Sequence, residues 1–193
     1  MKQKKIGITG GIGAGKSVIC SLLSVLGYPV FNSDRVAKNL MQSDLREEII
    51  LLFGEKAYLN EKLNRTYISE RVFKNKTLLT QLNQIVHPAV RNAFDQFCLK
   101  SDAPLVFNEA AILFETGAYK NFDAVVLVKA NQKTRIERVL KRDKISEDQI
   151  KARMNNQWSD QKKSALTSFI VENDDDKLII PQTLRLVNHL ISS

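Results

Sequence analysis

With only two cysteines, 7% aromatic residues and no apolar run longer than about five residues, the 193-residue chain lacks the marks of several protein classes. Cys20 and Cys98 have neither the spacing of a metal site nor that of a disulfide framework. Both fall in apolar helical patterns and are expected to be buried free thiols. A membrane span needs about 20 apolar residues, so none is expected. The chain opens Met1-Lys2-Gln3-Lys4-Lys5 and runs straight into an apolar strand, which leaves no room for a signal peptide and points to the cytoplasm. Aromatic residues interleaved with basic ones would suggest a single-strand nucleic-acid binder, but the nine Phe residues fall mostly within apolar patterns. No internal repeat, low-complexity run or clear interdomain linker is present. An NKxD base-recognition motif and a DxxG switch are also missing, which excludes a regulatory GTPase.

What is present begins at Ile6. A short apolar strand runs directly into Gly10-Gly11-Ile12-Gly13-Ala14-Gly15-Lys16-Ser17, the pattern GxxxxGK[ST] of a phosphate-binding loop. Glycines allow successive backbone N–H groups to turn inward around a phosphate, where a Cβ would block the approach. Lys16 reaches the β and γ phosphates, and the Ser17 hydroxyl is placed to ligate Mg2+. The helix that follows adds partial positive charge behind the bound anion. A glycine-rich turn without function would not explain Val18, Ile19, Leu22, Leu23 and Leu26 at helical spacing before a stop at Gly27. A dinucleotide-binding loop would leave the Lys-Ser pair unexplained. The net charge of +8 then calls for a polyanionic partner, and a nucleoside triphosphate with a second phosphate-bearing substrate meets that need.

The remaining pattern alternates strands and helices, which gives a parallel sheet covered on both faces. Tyr28 to Phe31 form a second strand ending at Asn32-Ser33-Asp34. Asp34 should emerge on the phosphate-loop side, where it could take the proton of an attacking hydroxyl or cap the next helix. Residues 35 to 103 read as helical. Ser43 caps a helix over Leu45 to Phe53, Asn64 precedes one over Tyr67 to Phe73, Thr77 precedes one over Leu78 to Val86, and Pro88 opens another through Phe97. Strands follow at Pro104 to Phe107, Ala124 to Val128 and Phe169 to Val171, and a last helix starts near Pro181. Between the last two strands, Arg135, Arg138 and Arg142 lie on one helix face. Ser146 with Gln149 resembles a capping box opening a second helix that carries Arg153 and Gln157. Basic helices hinged over a phosphate loop suit a lid, and from this face Arg138 and Arg142 are the functional candidates.

The ordered set of motifs resembles one family, dephospho-CoA kinase, from Ile6 to about Asn173. Its GGIGSGKS stands as Gly10 to Ser17, with Ala14 for a serine. Its LG, apolar strand and DAD stand as Leu26-Gly27, Val30-Phe31 and Asn32-Ser33-Asp34. Phe53-Gly54, Leu63-Asn64-Arg65, Val72-Phe73, His87-Pro88, Leu113-Phe114-Glu115, Arg138, Arg142-Asp143, Gln157 and Asn173 follow in order. The resemblance implies transfer of the ATP γ phosphate to the 3′-hydroxyl of dephospho-CoA with Mg2+, the last step of coenzyme A biosynthesis. It implies Asp34 as general base, with Lys16 and Arg142 as catalytic partners. ATP would be held by Gly11, Gly13, Ala14, Gly15, Lys16, Ser17, Val18, Arg138, Arg142 and Asn173, and the acceptor by Thr9, Asp34, Arg65, His87 and Glu115. Departures are Asn32 for the first acid of DAD, Ala111 for the proline of PLLFE, Val18 for a hydroxyl residue, and Thr167-Ser168 for an Ala-Asp pair.

The expected fold is α/β, a three-layer α/β/α arrangement of the P-loop NTPase type with a five-stranded parallel sheet. The core covers 1–34, 104–132 and 165–193, a helical acceptor-binding insert about 35–103, and a basic lid about 133–164. The expected partners are ATP and dephospho-CoA, with no nucleic acid and no membrane, in a monomer or small homo-oligomer. A nucleoside monophosphate kinase and a non-catalytic nucleotide-binding module are the alternatives.

Overall fold

The computed structural model describes residues 2–192. In chain order the elements are β1 (Lys4–Thr9), α1 (Lys16–Val25), β2 (Val30–Asn32), α2 (Ser33–Gln42), α3 (Arg46–Phe53), β3 (Tyr58–Leu59), β4 (Lys62–Leu63), α4 (Arg65–Lys74), α5 (Lys76–Leu99), β5 (Leu105–Glu109), β6 (Ala124–Lys129), α6 (Gln132–Arg142), α7 (Glu147–Asn155), α8 (Asp160–Ser164), β7 (Phe169–Glu172) and α9 (Ile179–Ser192). They divide into two compact units. One comprises residues up to Asn32 and from Lys100 onward, the other Ser33–Leu99.

The first unit is a parallel sheet in the order β2-β5-β1-β6-β7. The chain leaves β1 for β2 on one side and later fills β6 and β7 on the other, so the order reverses at β1. In open parallel sheets the crevice beyond the strand ends at such a reversal is where ligands bind. Ile6 and Ile8 on β1, Phe107 on β5, and Val126 and Val128 on β6 form one core layer with Ile19 and Leu23 of α1 and Leu186 and Leu190 of α9. On the opposite face Leu113, Phe114, Val125 and Leu127 pack with Trp158 and Phe122. Each fully buried Ile or Leu contributes about 1.5–3 kcal/mol. This double cover is why β6 reads as an unbroken apolar run.

The second unit is helical apart from the β3–β4 hairpin, which the sequence reading does not anticipate. Its turn residues Asn60 and Glu61 both have positive φ (48° and 63°), the conformation two-residue hairpin loops demand. Its core gathers Leu45, Ile49, Phe53, Ala57, Tyr58, Ile68, Leu82 and Val86. Asn64 caps α4 by accepting from the Tyr67 amide at 3.2 Å, as expected. Ser43 does not cap α3. Its hydroxyl instead donates to the Asn39 carbonyl at 2.9 Å, and α3 starts only at Arg46.

The two helices expected over 78–86 and 88–97 are one helix, Lys76–Leu99, with Pro88 inside. Proline removes a backbone donor and costs roughly 3 kcal/mol in a helix interior. The buried stripe of Leu82, Val86, Phe94 and Cys98 runs at helical spacing across it and offsets that loss. α9 begins at Ile179, leaving Pro181 within its first turn. No helix among the described residues is long and apolar enough to cross a membrane.

Candidate active site

β1 ends at the fully buried Thr9 and α1 begins at Lys16. The six residues between them form the phosphate loop. Gly13 and Gly15 sit at φ +78° and +91°, backbone that a side chain would strain. Space is equally tight, since a Cβ would lie 2.5 Å from the Arg135 carbonyl oxygen at Gly13 and 2.0 Å from Asn173 Nδ2 at Gly15. Lys16 Nζ donates to the Gly10 carbonyl at 2.9 Å, so the ammonium bends back over the strand side of the loop. In the first turn of α1 the Val18 N–H donates to the Gly15 carbonyl at 3.0 Å.

Asn173 is buried and donates from Nδ2 to the Ala14 carbonyl at 2.9 Å, bracing the loop from behind. Arg138 on α6 donates to the Asn173 carbonyl at 2.8 Å and to Asp175 at 2.9 Å. Both expected residues therefore converge on the loop. Arg142 lies one turn further and bonds its neighbour Asp143 at 2.9 and 3.0 Å, with 62% of its side chain exposed. That contact raises the Arg142 pKa and lowers that of Asp143. α7 opens with the expected capping box of Ser146 and Gln149.

Three residues of this site carry no role in the sequence reading. Glu109 closes β5, opposite Ile8 of β1 and Asn32 of β2 in the parallel register. Its Oε2 accepts from Asn32 Nδ2 at 2.7 Å. Its second neighbour is Cys20, whose thiol pKa burial, and then the Glu109 charge, push up to about 12. The thiol is therefore a protonated donor to the carboxylate. Cys20 lies three residues beyond Ser17 on α1, so Glu109 stands against the helix face that carries the Ser17 hydroxyl. A hydroxyl and a carboxylate are hard oxygen donors, the set Mg2+ takes when substrate phosphates complete its shell. Arg135 and Gln157 are the other two. They reach Ile12 from α6 and from the turn after α7. The adjacency of β5 to β1, which alone reveals Glu109, has no sequence signal.

The expected acceptor residues are divided between the units. Thr9 donates to the Ala111 carbonyl at 3.4 Å. Glu115 is bound within its own unit, accepting from the Trp158 amide at 3.0 Å and pairing with the fully buried Lys163 at 2.9 Å. Asp34, Arg65 and His87 belong to the helical unit. Asp34 sits in the first turn of α2, two residues past β2, and Arg65 opens α4. His87 lies inside α5 next to Pro88, where desolvation and then Arg91 lower its pKa below the usual 6.5.

Folding therefore makes His87 harder to protonate, and its contribution to stability is present above about 6.5 and lost as pH falls from there through the lower folded value. Thermal melts at about pH 7.5 and about pH 5.5 should show a smaller acid-induced drop in Tm for His87→Gln than for the parent chain. Equal drops would refute the assignment.

The model of the dephospho-CoA kinase family matches residues 4–178. The chain belongs to the dephospho-CoA kinase family. A dephospho-CoA kinase of Bacteroides fragilis is 41% identical over 189 residues, covering 96% of this chain and 92% of the relative. One from Chlorobium chlorochromatii is 38% identical over 88% of this chain and 84% of its own length. Among solved structures, a Thermus thermophilus protein superposes with a TM-score of 0.88 at 31% identity, covering 100% of this chain and 98% of its own. The dephospho-CoA kinase from Campylobacter jejuni gives 0.69 at 25% identity, over 97% of each chain. A shikimate kinase from Bacteroides thetaiotaomicron shares the fold alone, at a TM-score of 0.52 and 11% identity over 98% of this chain and 99% of its own. The phosphate loop, Arg138 and Asn173 thus stand in a dephospho-CoA kinase framework of five parallel strands.

Proposed function

We propose that this dephospho-CoA kinase transfers the γ phosphate of ATP to the 3′-hydroxyl of the dephospho-CoA ribose, the last step of coenzyme A biosynthesis, in the cytoplasm. The observation that carries the reading is the loop itself, at positive φ and space-limited at Gly13 and Gly15, with the Lys16 ammonium on one side and the Glu109 carboxylate at the adjacent strand end.

The backbone from Gly11 to Val18 cradles the phosphates, and Lys16 neutralises the β and γ oxygens. Ser17 and Glu109 would hold Mg2+, directly or through its waters, which when bound supplies charge neutralisation across the β and γ oxygens. Arg138 supports the nucleotide side beside Asn173. The segment over α6 to α8 acts as a lid that pivots about the Arg135 and Gln157 bonds to Ile12, and its closure brings Arg142, which bonds its neighbour Asp143, onto the phosphates. The family resemblance assigns Thr9, Arg65, His87 and Glu115 to binding dephospho-CoA. The ribose hydroxyl oxygen attacks γ phosphorus, the bond from γ phosphorus to the β-bridging oxygen breaks, ADP leaves, and the hydroxyl proton passes to Asp34.

Purified protein offered ATP with dephospho-CoA, and separately with AMP or CMP, should consume ATP at a substantial rate only with dephospho-CoA. Turnover of AMP or CMP but not dephospho-CoA would replace this reading with a nucleoside monophosphate kinase. Tight ATP binding without turnover of any acceptor would leave a binding module.

A further inference from the structure

The two peptide groups that meet at Ile12, at the tip of the phosphate loop, are each held by a side chain from far along the chain. The Ile12 N–H donates to Gln157 Oε1 at 2.8 Å, and the Ile12 carbonyl accepts from Arg135 Nε at 2.9 Å. Neither partner is free to drift. Arg135 also donates through Nη1 to Asp160 at 3.3 Å, with side-chain exposures of only 12% and 20% for the pair. Its Nη2 lies where a Cβ on Gly11 would stand, 2.1 Å from that position. Gln157 reaches with Nε2 toward the Ala111 carbonyl at 3.5 Å, and the next residue, Trp158, is fixed through its amide to Glu115. Glu115 is in turn held by the buried Lys163.

We infer that Gln157 and Arg135 are positioning residues which lock the two peptide planes flanking Ile12, Gly11–Ile12 and Ile12–Gly13, and thereby preset the phosphate loop for the third phosphate of the nucleotide. Ile12 is flanked by Gly11 and Gly13, residues with more backbone freedom to lose than any other. Left to itself, a peptide between two glycines samples many orientations, and only some leave the later N–H groups convergent. Two fixed side chains remove that freedom before the ligand arrives, which is the preorganisation that makes an electrostatic site effective. The Ile12 N–H is committed to Gln157, so the cradle is built from the other amides of the loop.

The effect should concentrate on the terminal phosphate. Lys16 Nζ, the group that meets the β and γ oxygens, rests over the Gly10 carbonyl. The γ end of the nucleotide therefore lies on the Gly10 to Ile12 side, and the α phosphate lies toward α1. A slack Ile12 peptide weakens ATP and leaves ADP largely untouched. A purely structural role would weaken both nucleotides alike.

The inference rests on the nucleotide reading of the loop but not on the acceptor, so it can be tested by binding alone. Gln157→Met keeps the side-chain length and removes the acceptor, and Arg135→Lys keeps the charge and removes the fixed geometry. Titration calorimetry with ATP and with ADP should show each variant losing about tenfold in ATP affinity while ADP stays within about threefold. The double variant should lose less than the product of the single losses, because both side chains act on the backbone of one residue. An ATP-to-ADP affinity ratio within about threefold of the parent in both single variants would overturn the proposal, whether both affinities hold or both fall. A parent chain that binds neither nucleotide would instead overturn the nucleotide reading itself.

Discussion

Lys16→Ala should lower kcat by at least about a hundredfold and weaken ATP as well. Removing one fixed electrostatic donor from a water-poor site costs about 10²–10³ in turnover, and phosphoryl transfer depends on charge stabilisation more than on covalent help from the protein. The ammonium is already in place, seated on the Gly10 carbonyl at 2.9 Å. A triphosphate has only to take over that contact, with little reorganisation of the side chain. Lys16→Arg should not restore the rate, because a planar guanidinium cannot occupy the niche of a point charge above a carbonyl. Initial rates at saturating dephospho-CoA across a range of ATP concentrations give kcat and KM separately. A variant that keeps more than about a third of the parent kcat would show that the transferred phosphate does not lie in this loop.

Asp34→Asn should lower kcat by at least about tenfold and leave ATP affinity nearly unchanged. General bases contribute about 10²–10⁴, but a loose transition state leaves the attacking hydroxyl little proton to lose before the bond is made, so the lower end applies. Asparagine preserves size and hydrogen bonding, and Asp34 in the first turn of α2 also gains from the helix N-terminus. A helix-opening role would therefore appear as a lower Tm, and a proton-accepting role as a lower kcat with Tm held. Asn32, where the family carries another acid, donates to Glu109 at 2.7 Å. It cannot accept the proton in place of Asp34. Unchanged kcat in Asp34→Asn would return Asp34 to helix opening and leave Glu109 as the carboxylate to examine.

Local chemistry was legible in the sequence wherever a few consecutive residues settle the matter. Gly10, Gly11, Gly13 and Gly15 specify the loop because a side chain does not fit their clearances, and Ser146 with Gln149 or Asn64 with Tyr67 specify helix starts through bonds spanning three residues. What escaped depends on distant neighbours. Pro88 reads as a helix start, yet the buried stripe on both sides of it keeps one helix intact. Glu109 is one acid among 21 Asp and Glu until the sheet order sets it beside β1. Arg135, Arg138 and Arg142 share one helix face in the sequence. The fold sorts them into a residue on the loop tip, a residue on the Asn173 carbonyl and one paired only with its neighbour.

The register of β1 has a consequence for the order in which the chain can assemble. Lys4 pairs with Leu105 and Ile6 with Ala124, so β1 has no sheet partner until about a hundred further residues have been made. Ser33–Leu99, in contrast, is one continuous stretch whose core residues all come from within it, and domains tend to fold as units. During synthesis the helical segment can collapse early. The nascent phosphate loop must then wait on an unpaired strand, and nucleotide cannot act as a folding template before β5 and β6 arrive.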